Sequence, residues 1–205
     1  MTGDGRWVAA ANPPQACVAV YEVTNPINRF PLTNHQFIQH VAFSPDGRWL
    51  ASGTWKGRGV KIWEVAARRL VRELPVEGSA IVTFSPDSRR LASGSRRYQV
   101  WEVGSWRELY RGPDSAAESQ AAAFSPDGHL LAVTRDGRVV QLLEAATGRV
   151  LADLEAPDAA PISCLRFTPD GASLLALEWT RGIQVWDLRR LRAELAALNL
   201  DWDAP

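Results

Sequence analysis

The chain has 205 residues and no formal net charge, because 23 lysines and arginines balance 23 aspartates and glutamates. This balance disfavours a general nucleic-acid binder, which carries a basic excess, and an acidic interaction tail. No apolar run approaches the roughly 20 residues that span a bilayer, and no basic segment leads into an apolar one at the start, so we expect a cytoplasmic protein.

The chain contains an internal repeat. A truncated copy, Gly3-Asp4-Gly5, is followed by four fuller copies of a Phe-Ser-Pro-Asp-Gly motif at Phe43–Gly47, Phe84–Ser88, Phe124–Gly128 and Phe167–Gly171. Successive aspartates of these copies are 40 to 43 residues apart. This period is typical of propeller blades, each built from four short strands.

Each repeat predicts the same four strands, as the second copy illustrates. An alternating apolar run at His40–Phe43 indicates an inner strand, and the Pro-Asp-Gly that follows predicts a tight turn in which Asp accepts a backbone hydrogen bond from two residues onward. The second, third and outer strands are predicted at Arg48–Gly53, Val60–Val65 and Arg69–Leu74. The fold class is therefore all-β, a propeller of about five blades.

The two ends of this pattern are incomplete. The first copy has no inner strand before its turn, and the last copy has no outer strand after its third. A ring of seven such repeats needs about 290 residues, so we expect an arc of a larger ring, with a closed ring of five blades as the alternative. An arc leaves an unpaired strand edge near Arg6–Ala11, which favours self-association.

The period changes after the last repeat. Leucines at positions 188, 191, 195 and 198 recur at three and four residues, which predicts an amphipathic helix within 188–200. Asp187 is placed to cap its first turn, and Asn199 to end it. We therefore divide the chain into blades at 1–188 and a helix and tail at 189–205, with the leucines and Trp202 packed on the last blade; a partner-binding helix is the alternative.

These features resemble the WD40 repeat family, through the Phe-Ser-Pro-Asp-Gly turns, the Leu-Ala-Ser-Gly second strands and the third strands that end at Trp63, Trp101 and Trp186. The resemblance implies that these three tryptophans are buried in the blades. It also implies a polar network of His, Ser or Thr, Asp and Trp, but no repeat has all four residues. His35 is a partial match, so we expect the blades to depend more on apolar packing.

The segment Trp186–Pro205 is similar to the tails of WD40 segments in multidomain proteins of planctomycete-like bacteria, some of which carry a Ser/Thr kinase domain. The resemblance implies that this chain is the C-terminal part of a longer signalling protein. The chain itself has no Gly-rich loop, His-Arg-Asp or Asp-Phe-Gly motif of a kinase.

Catalytic patterns are absent from the sequence. The histidines His35, His40 and His129 have no metal-ligand spacing to one another, and His129 is expected to be a solvated turn residue. Cys17 and Cys164 lie in strand patterns and are expected to be small buried hydrophobes. We expect no catalytic residue, no cofactor and no metal.

One predicted surface favours binding. The loops between second and third strands open on one rim of a WD40-like blade and carry arginine, lysine and tryptophan. Arginine and tryptophan are enriched at binding hot spots. The alternative is that loops of an arginine-rich chain collect arginine without a function. The candidate protein-binding residues are Trp55, Lys56, Arg58, Arg96, Arg97, Arg135, Trp179 and Arg181.

The sequence thus predicts a non-catalytic protein-interaction scaffold with an acidic partner surface, in a bacterial multidomain regulator. A propeller enzyme with a central-channel site is the first alternative, and it requires His, Asp or Glu at the inner strands, which instead offer Ala, Val, Phe, Cys and Leu. A nucleic-acid binder using the basic rim is the second, and it requires salt-sensitive affinity.

Overall fold

The structure is a computed structural model, and it describes residues 1–12, 17–25, 27–33, 35–55, 58–114, 121–136, 138–155, 161–178 and 182–197. Strands make up 58% of the described residues, which agrees with the all-β prediction. They form five antiparallel sheets of three or four strands each. The chain divides into two compact units, Met1–Gln120 and Ala121–Pro205.

The first unit contains three sheets, with strands in chain order within each. Sheet 1 consists of β1 (Trp7–Asn12), β2 (Cys17–Glu22) and β3 (Arg29–Thr33). Sheet 2 consists of β4 (Ile38–Phe43), β5 (Trp49–Thr54), β6 (Arg58–Glu64) and β7 (Arg69–Glu77). Sheet 3 consists of β8 (Ile81–Phe84), β9 (Arg90–Gly94), β10 (Tyr98–Glu102) and β11 (Glu108–Arg111).

The second unit contains two sheets and a helix. Sheet 4 consists of β12 (Ala122–Phe124), β13 (Leu130–Thr134), β14 (Val139–Glu144) and β15 (Val150–Glu155). Sheet 5 consists of β16 (Ile162–Phe167), β17 (Ser173–Glu178) and β18 (Gly182–Asp187), and helix α1 (Leu188–Ala197) follows it directly. The described residues thus confirm five repeats, with no inner strand in sheet 1 and no outer strand in sheet 5.

The repeated aspartates are turn residues, as predicted. The backbone N–H of Arg48 donates to Asp46 Oδ1 at 3.0 Å, and the equivalent bonds recur at the other turns. The hydroxyl two residues before each aspartate closes the turn from the other side, as when Ser44 Oγ accepts from Trp49 N at 2.9 Å. Gly47 takes a φ of 71° at this turn, in the left-handed region that favours glycine. Turn geometry therefore accounts for the aspartate period.

The truncated first copy forms the same turn. Thr2 is buried, and its hydroxyl accepts from Trp7 N at 3.0 Å and donates to Asp4. The hydrogen bond from the Thr2 hydroxyl, and after it the one from the backbone N–H of Arg6, lower the pKa of the Asp4 carboxyl. The repeat therefore begins at Thr2, one residue earlier than the Gly-Asp-Gly copy indicated.

In the first unit, apolar side chains fill the space between neighbouring sheets. One cluster joins Val18 and Leu32 of sheet 1 to Leu50 and Trp63 of sheet 2. A second cluster joins sheets 2 and 3 and contains Trp101. Both tryptophans are buried, as the resemblance implied. Sheet 2 thus buries its two faces against different neighbours, which suits strands with apolar residues on both sides.

In the second unit, sheets 4 and 5 share one apolar cluster with helix α1. Leu188 is buried in it, and Leu191 and Leu195 pack against it. Trp186 packs against this cluster but is only partly buried, so its predicted burial is confirmed only in part. The division of the chain at residue 188 stays a prediction.

The start of α1 is confirmed at Leu188. Asp187 Oδ1 accepts a hydrogen bond from Arg190 N at 2.9 Å, so its carboxylate caps the first turn. Arg190 also forms an ion pair with Glu194 one turn later, at 2.8 Å. The predicted end at Asn199 and the predicted packing of Trp202 lie outside the described residues.

Candidate functional site

The structure describes part of the predicted binding rim. Trp55 follows β5 and is exposed, and Arg58 is the first residue of β6, although its side chain is outside the described part. Lys56, Trp179 and Arg181 also lie outside the described residues. The side chains of Arg96 and Arg97 in the first unit and of Arg135 in the second are described, and each environment is taken within its own unit.

Arg96 and Arg97 occupy the turn between β9 and β10 and line a cleft of about 270 Å³. Ser95 holds this turn, since both its N–H and its hydroxyl donate to Arg97 O at 3.2 Å. The other walls come from the end of β7 and from the segment that begins at the end of β11. Of the predicted rim loops, the one that carries Arg96 and Arg97 lines this cleft, and the cleft lies within the first unit.

Two carboxylates reach the arginines of this cleft. Arg97 Nη2 lies 2.7 Å from Asp114 Oδ1, in an ion pair that is partly exposed on both sides. Arg111 Nη2 donates to Glu108 Oε2 at 2.9 Å, and the same oxygen accepts from Gln99 Nε2 at 2.8 Å. Sequence reasoning missed Arg111 and Asp114, because neither lies in a loop between second and third strands.

Arg135 has a different environment. Its Nη1 donates to Asp153 Oδ2 at 2.9 Å, and the other oxygen of Asp153 accepts from Gln141 Nε2 at 2.9 Å. One outer-strand carboxylate therefore engages both the loop arginine and the third-strand glutamine of sheet 4. In sheet 3, the outer-strand Glu108 engages the glutamine and Arg111 but neither loop arginine.

His35 belongs to a buried polar network that the sequence predicted only in part. Its Nδ1 lies 2.7 Å from Ser52 Oγ, and the same hydroxyl accepts from Trp63 Nε1 at 3.0 Å. Burial lowers the pKa of His35 to about 4, and the positive charge of Lys61 acts in the same direction. Three of the four network residues are thus joined in sheet 2 despite the offset of His35 in the sequence, and the expectation that the blades depend more on apolar packing stays a prediction.

The remaining candidate groups are separate from the cleft. His129 is exposed at its turn, as predicted, and burial lowers the pKa of His40. Cys17 is buried, but Cys164 is exposed, so the predicted burial of Cys164 is wrong. Cys164 lies opposite Leu177 on a face of sheet 5 where several apolar side chains are exposed.

No three His, Cys, Asp or Glu residues of the described ranges form a metal-binding group. None of the helices in those ranges is long and apolar enough to span a membrane.

Comparison with protein families identifies the repeat. A model of the WD domain, G-beta repeat, matches residues 25–64, and a model of the anaphase-promoting complex subunit 4 WD40 domain matches residues 82–180. The chain contains WD40 repeats. The His35, Ser52 and Trp63 network and the serine–aspartate turns are thus features of WD40 sheets in this chain.

Two individual proteins contain segments similar to this chain, one by sequence and the other by structure. The centriole proteome protein 16 of Chlamydomonas reinhardtii is 31% identical over 174 residues, which cover 82% of this chain and 7% of that protein. The chain therefore spans a small fraction of the length of this relative. The hydrazine synthase of Kuenenia stuttgartiensis has a similar structure, with a TM-score of 0.76 over 87% of this chain and 54% of that chain. At 17% identity, this likeness shows the fold alone.

Proposed function

We propose that this WD40 chain is a non-catalytic protein-interaction module that binds an acidic partner surface through its arginine-bearing and tryptophan-bearing loops. The observation that carries the proposal is the cleft at the β9–β10 turn, where Arg96 and Arg97 stand beside Arg111. Arginine is enriched at protein interfaces because its planar, delocalised cation forms bidentate contacts with carboxylates. WD40 domains generally mediate protein–protein interactions, which supports this class of function.

We further propose that the module works within a longer regulatory protein of a bacterium, in the cytoplasm. Its algal relative supports the multidomain part of this proposal, because the matched segment is a small part of that protein. The bacterial part is supported by composition: lysine occurs only at Lys56 and Lys61, and the remaining basic residues are arginines, as in proteins from high-GC bacteria.

We also propose self-association through open strand edges. The predicted edge near Arg6–Ala11 belongs to β1, which pairs with β2 on one side and with no strand of the described ranges on the other. A second open edge lies in sheet 5. Its third strand β18 pairs with β17 on one side, and no strand of the described ranges pairs with its other edge. Leu177, Ile183 and Val185 share one face of this sheet and are all exposed. An open edge beside an exposed apolar face favours pairing with a second copy of the chain.

The interaction role is tested by capture of partners from the lysate of a high-GC bacterium. The triple variant Arg96→Glu, Arg97→Glu, Arg181→Glu should lose the partners that the wild-type chain retains, because three cations become anions at the contact. The matched control reverses three exposed arginines elsewhere in the chain, Arg29, Arg89 and Arg107. Retention of every partner by the first variant, or equal loss in both variants, contradicts docking through these loops.

A further inference from the structure

We infer that the cleft between the end of β7 and the β9–β10 turn is a binding site for the carboxylate of an acidic peptide segment, with Asp114 as its internal competitor. The inference rests on the proposed interaction function and adds the chemistry of the contact. The loop pattern predicted Arg96 and Arg97 at this place, and the cleft adds Arg111, Glu77 and Asp114 to them.

The charges of the lining indicate the ligand. Arg96, Arg97 and Arg111 line the cleft together with two carboxylates, Glu77 and Asp114. Glu108 already neutralises Arg111 and Asp114 neutralises Arg97, so Arg96 is the cation that a single carboxylate can pair with. A phosphate group, with close to two negative charges, brings more negative charge than this one cation neutralises.

The ion pairs of the cleft show where a ligand can enter. Arg111 is engaged by Glu108, and Arg97 by Asp114, but Arg96 is exposed and has no recorded partner among the described residues. An arriving carboxylate therefore finds one unpaired guanidinium at Arg96. It finds a second at Arg97 when Asp114 is displaced. This displacement is inexpensive, because exposed ion pairs contribute little to stability.

A comparison of the loop arginines of sheets 3 and 4 explains why the proposed site lies at sheet 3. Arg135 holds the equivalent loop position, but Asp153 of the neighbouring outer strand already binds it at 2.9 Å. In sheet 3, the outer-strand Glu108 is held by Arg111 and by Gln99, which leaves the loop arginines to a carboxylate beyond the strand. Glu108 therefore leaves the loop arginines of sheet 3 available to a ligand. Asp153 already pairs with the loop arginine of sheet 4.

The test measures binding of a fluorescein-labelled hexaglutamate peptide to the 205-residue chain by fluorescence anisotropy at fixed ionic strength. Arg96→Ala and Arg97→Ala should each weaken binding about tenfold, since hydrogen bonds to charged groups are lost. Asp114→Asn should strengthen binding by about threefold, because the internal competitor loses its charge. Arg135→Ala is the matched control and should leave affinity unchanged. Melting temperatures verify that each variant is folded.

Four results overturn the inference: no binding by the wild type, no change with Asp114→Asn, equal weakening by Arg135→Ala, or tighter binding when phosphoserine replaces glutamate in the peptide. The comparison of Arg96→Ala with Arg135→Ala separates a specific site from general attraction, because both variants remove one positive charge and only Arg96 lines the cleft. If the lysate partners depend on Arg96 and Arg97 while hexaglutamate fails these criteria, the interaction function stands and the carboxylate site falls. If hexaglutamate meets them but no partner is lost with the triple variant, the site stands and the docking role falls.

Discussion

Sheets 2 and 5 have similar third strands in very different environments. Val60-Lys61-Ile62-Trp63 in sheet 2 is buried throughout, whereas in the matching Ile183-Gln184-Val185-Trp186 of sheet 5, Ile183 is 64% exposed and Val185 is 51% exposed. Sheet 2 has a fourth strand, β7, whose Glu73 pairs with Lys61 at 3.0 Å. In sheet 5, no fourth strand is present among the described residues, and Gln184 Nε2 finds only the carbonyl of Val185, at 3.4 Å.

The second difference between the sheets is the polar network. Trp63 lies opposite Leu50 in the register and reaches Ser52, while Trp186 lies opposite Leu174, and Ala176 stands where Ser52 would be. Alanine has no hydroxyl to accept from the indole N–H. The third strand of sheet 2 is therefore held by an outer strand and by a serine. Among the described residues of sheet 5, the third strand has neither.

The largest expected effect is the contrast between the two tryptophans. Trp63→Ala should lower the free energy of unfolding by about 3 to 5 kcal/mol, because it opens a cavity in the core. Trp186→Ala should cost only about 1 to 2 kcal/mol, since the side chain is partly exposed and less apolar area is lost. Chemical unfolding followed by circular dichroism measures both. Equal losses would contradict the assignment of different environments to the two sheets.

The second prediction concerns acid and the His35 network, which only sheet 2 has. Because the folded pKa of about 4 lies below the ordinary value of 6.5, the unfolded chain binds the proton more readily between these values. The contribution of neutral His35 is therefore present above pH 6.5 and is lost as the pH falls to 4, by about 3 kcal/mol in all.

Unfolding midpoints measured from pH 7 to pH 4 provide the test of this prediction. The variant His35→Gln removes the titrating group, so its stability should fall less steeply with acid than that of the wild type. His40 also titrates with a lowered pKa, and it remains in both proteins, so the difference between their slopes isolates His35. Parallel slopes in the two proteins would show that His35 does not take up a proton in this range.

The smallest expected effect on stability concerns the exposed face of sheet 5. Ile183→Lys with Val185→Lys should change the free energy of unfolding by less than about 0.5 kcal/mol, because both side chains are exposed. The same pair should reduce the concentration-dependent mass of the chain in sedimentation experiments. The matched control is Leu70→Lys with Val71→Lys on β7, which are also exposed and should leave association unchanged. Association that persists in the first variant contradicts pairing through this face.

Much of the fold and little of the site followed from local sequence. The Pro-Asp-Gly turns, the strand order and the Asp187 cap depend on residues close in the chain, and the structure confirms them. The burial of Cys164 was predicted from its strand pattern and is wrong, and the burial of Trp186, which the resemblance implied, is only partial. A strand pattern specifies which residues share a face of a sheet but not whether another sheet or strand covers that face.

The sequence by itself determined the repeat, its period and the residue types available at each loop, because turn chemistry and alternation of apolar residues are local properties. Tertiary structure alone decided which charges meet. Asp114 reaches Arg97 and Asp153 reaches Arg135 across 17 and 18 residues, and Glu108 reaches Gln99 on the neighbouring strand. Ion pairing depends on the distances between side chains that come from different strands. The sequence repeat therefore predicts an arginine in each loop, but it does not show which arginine is left without a partner.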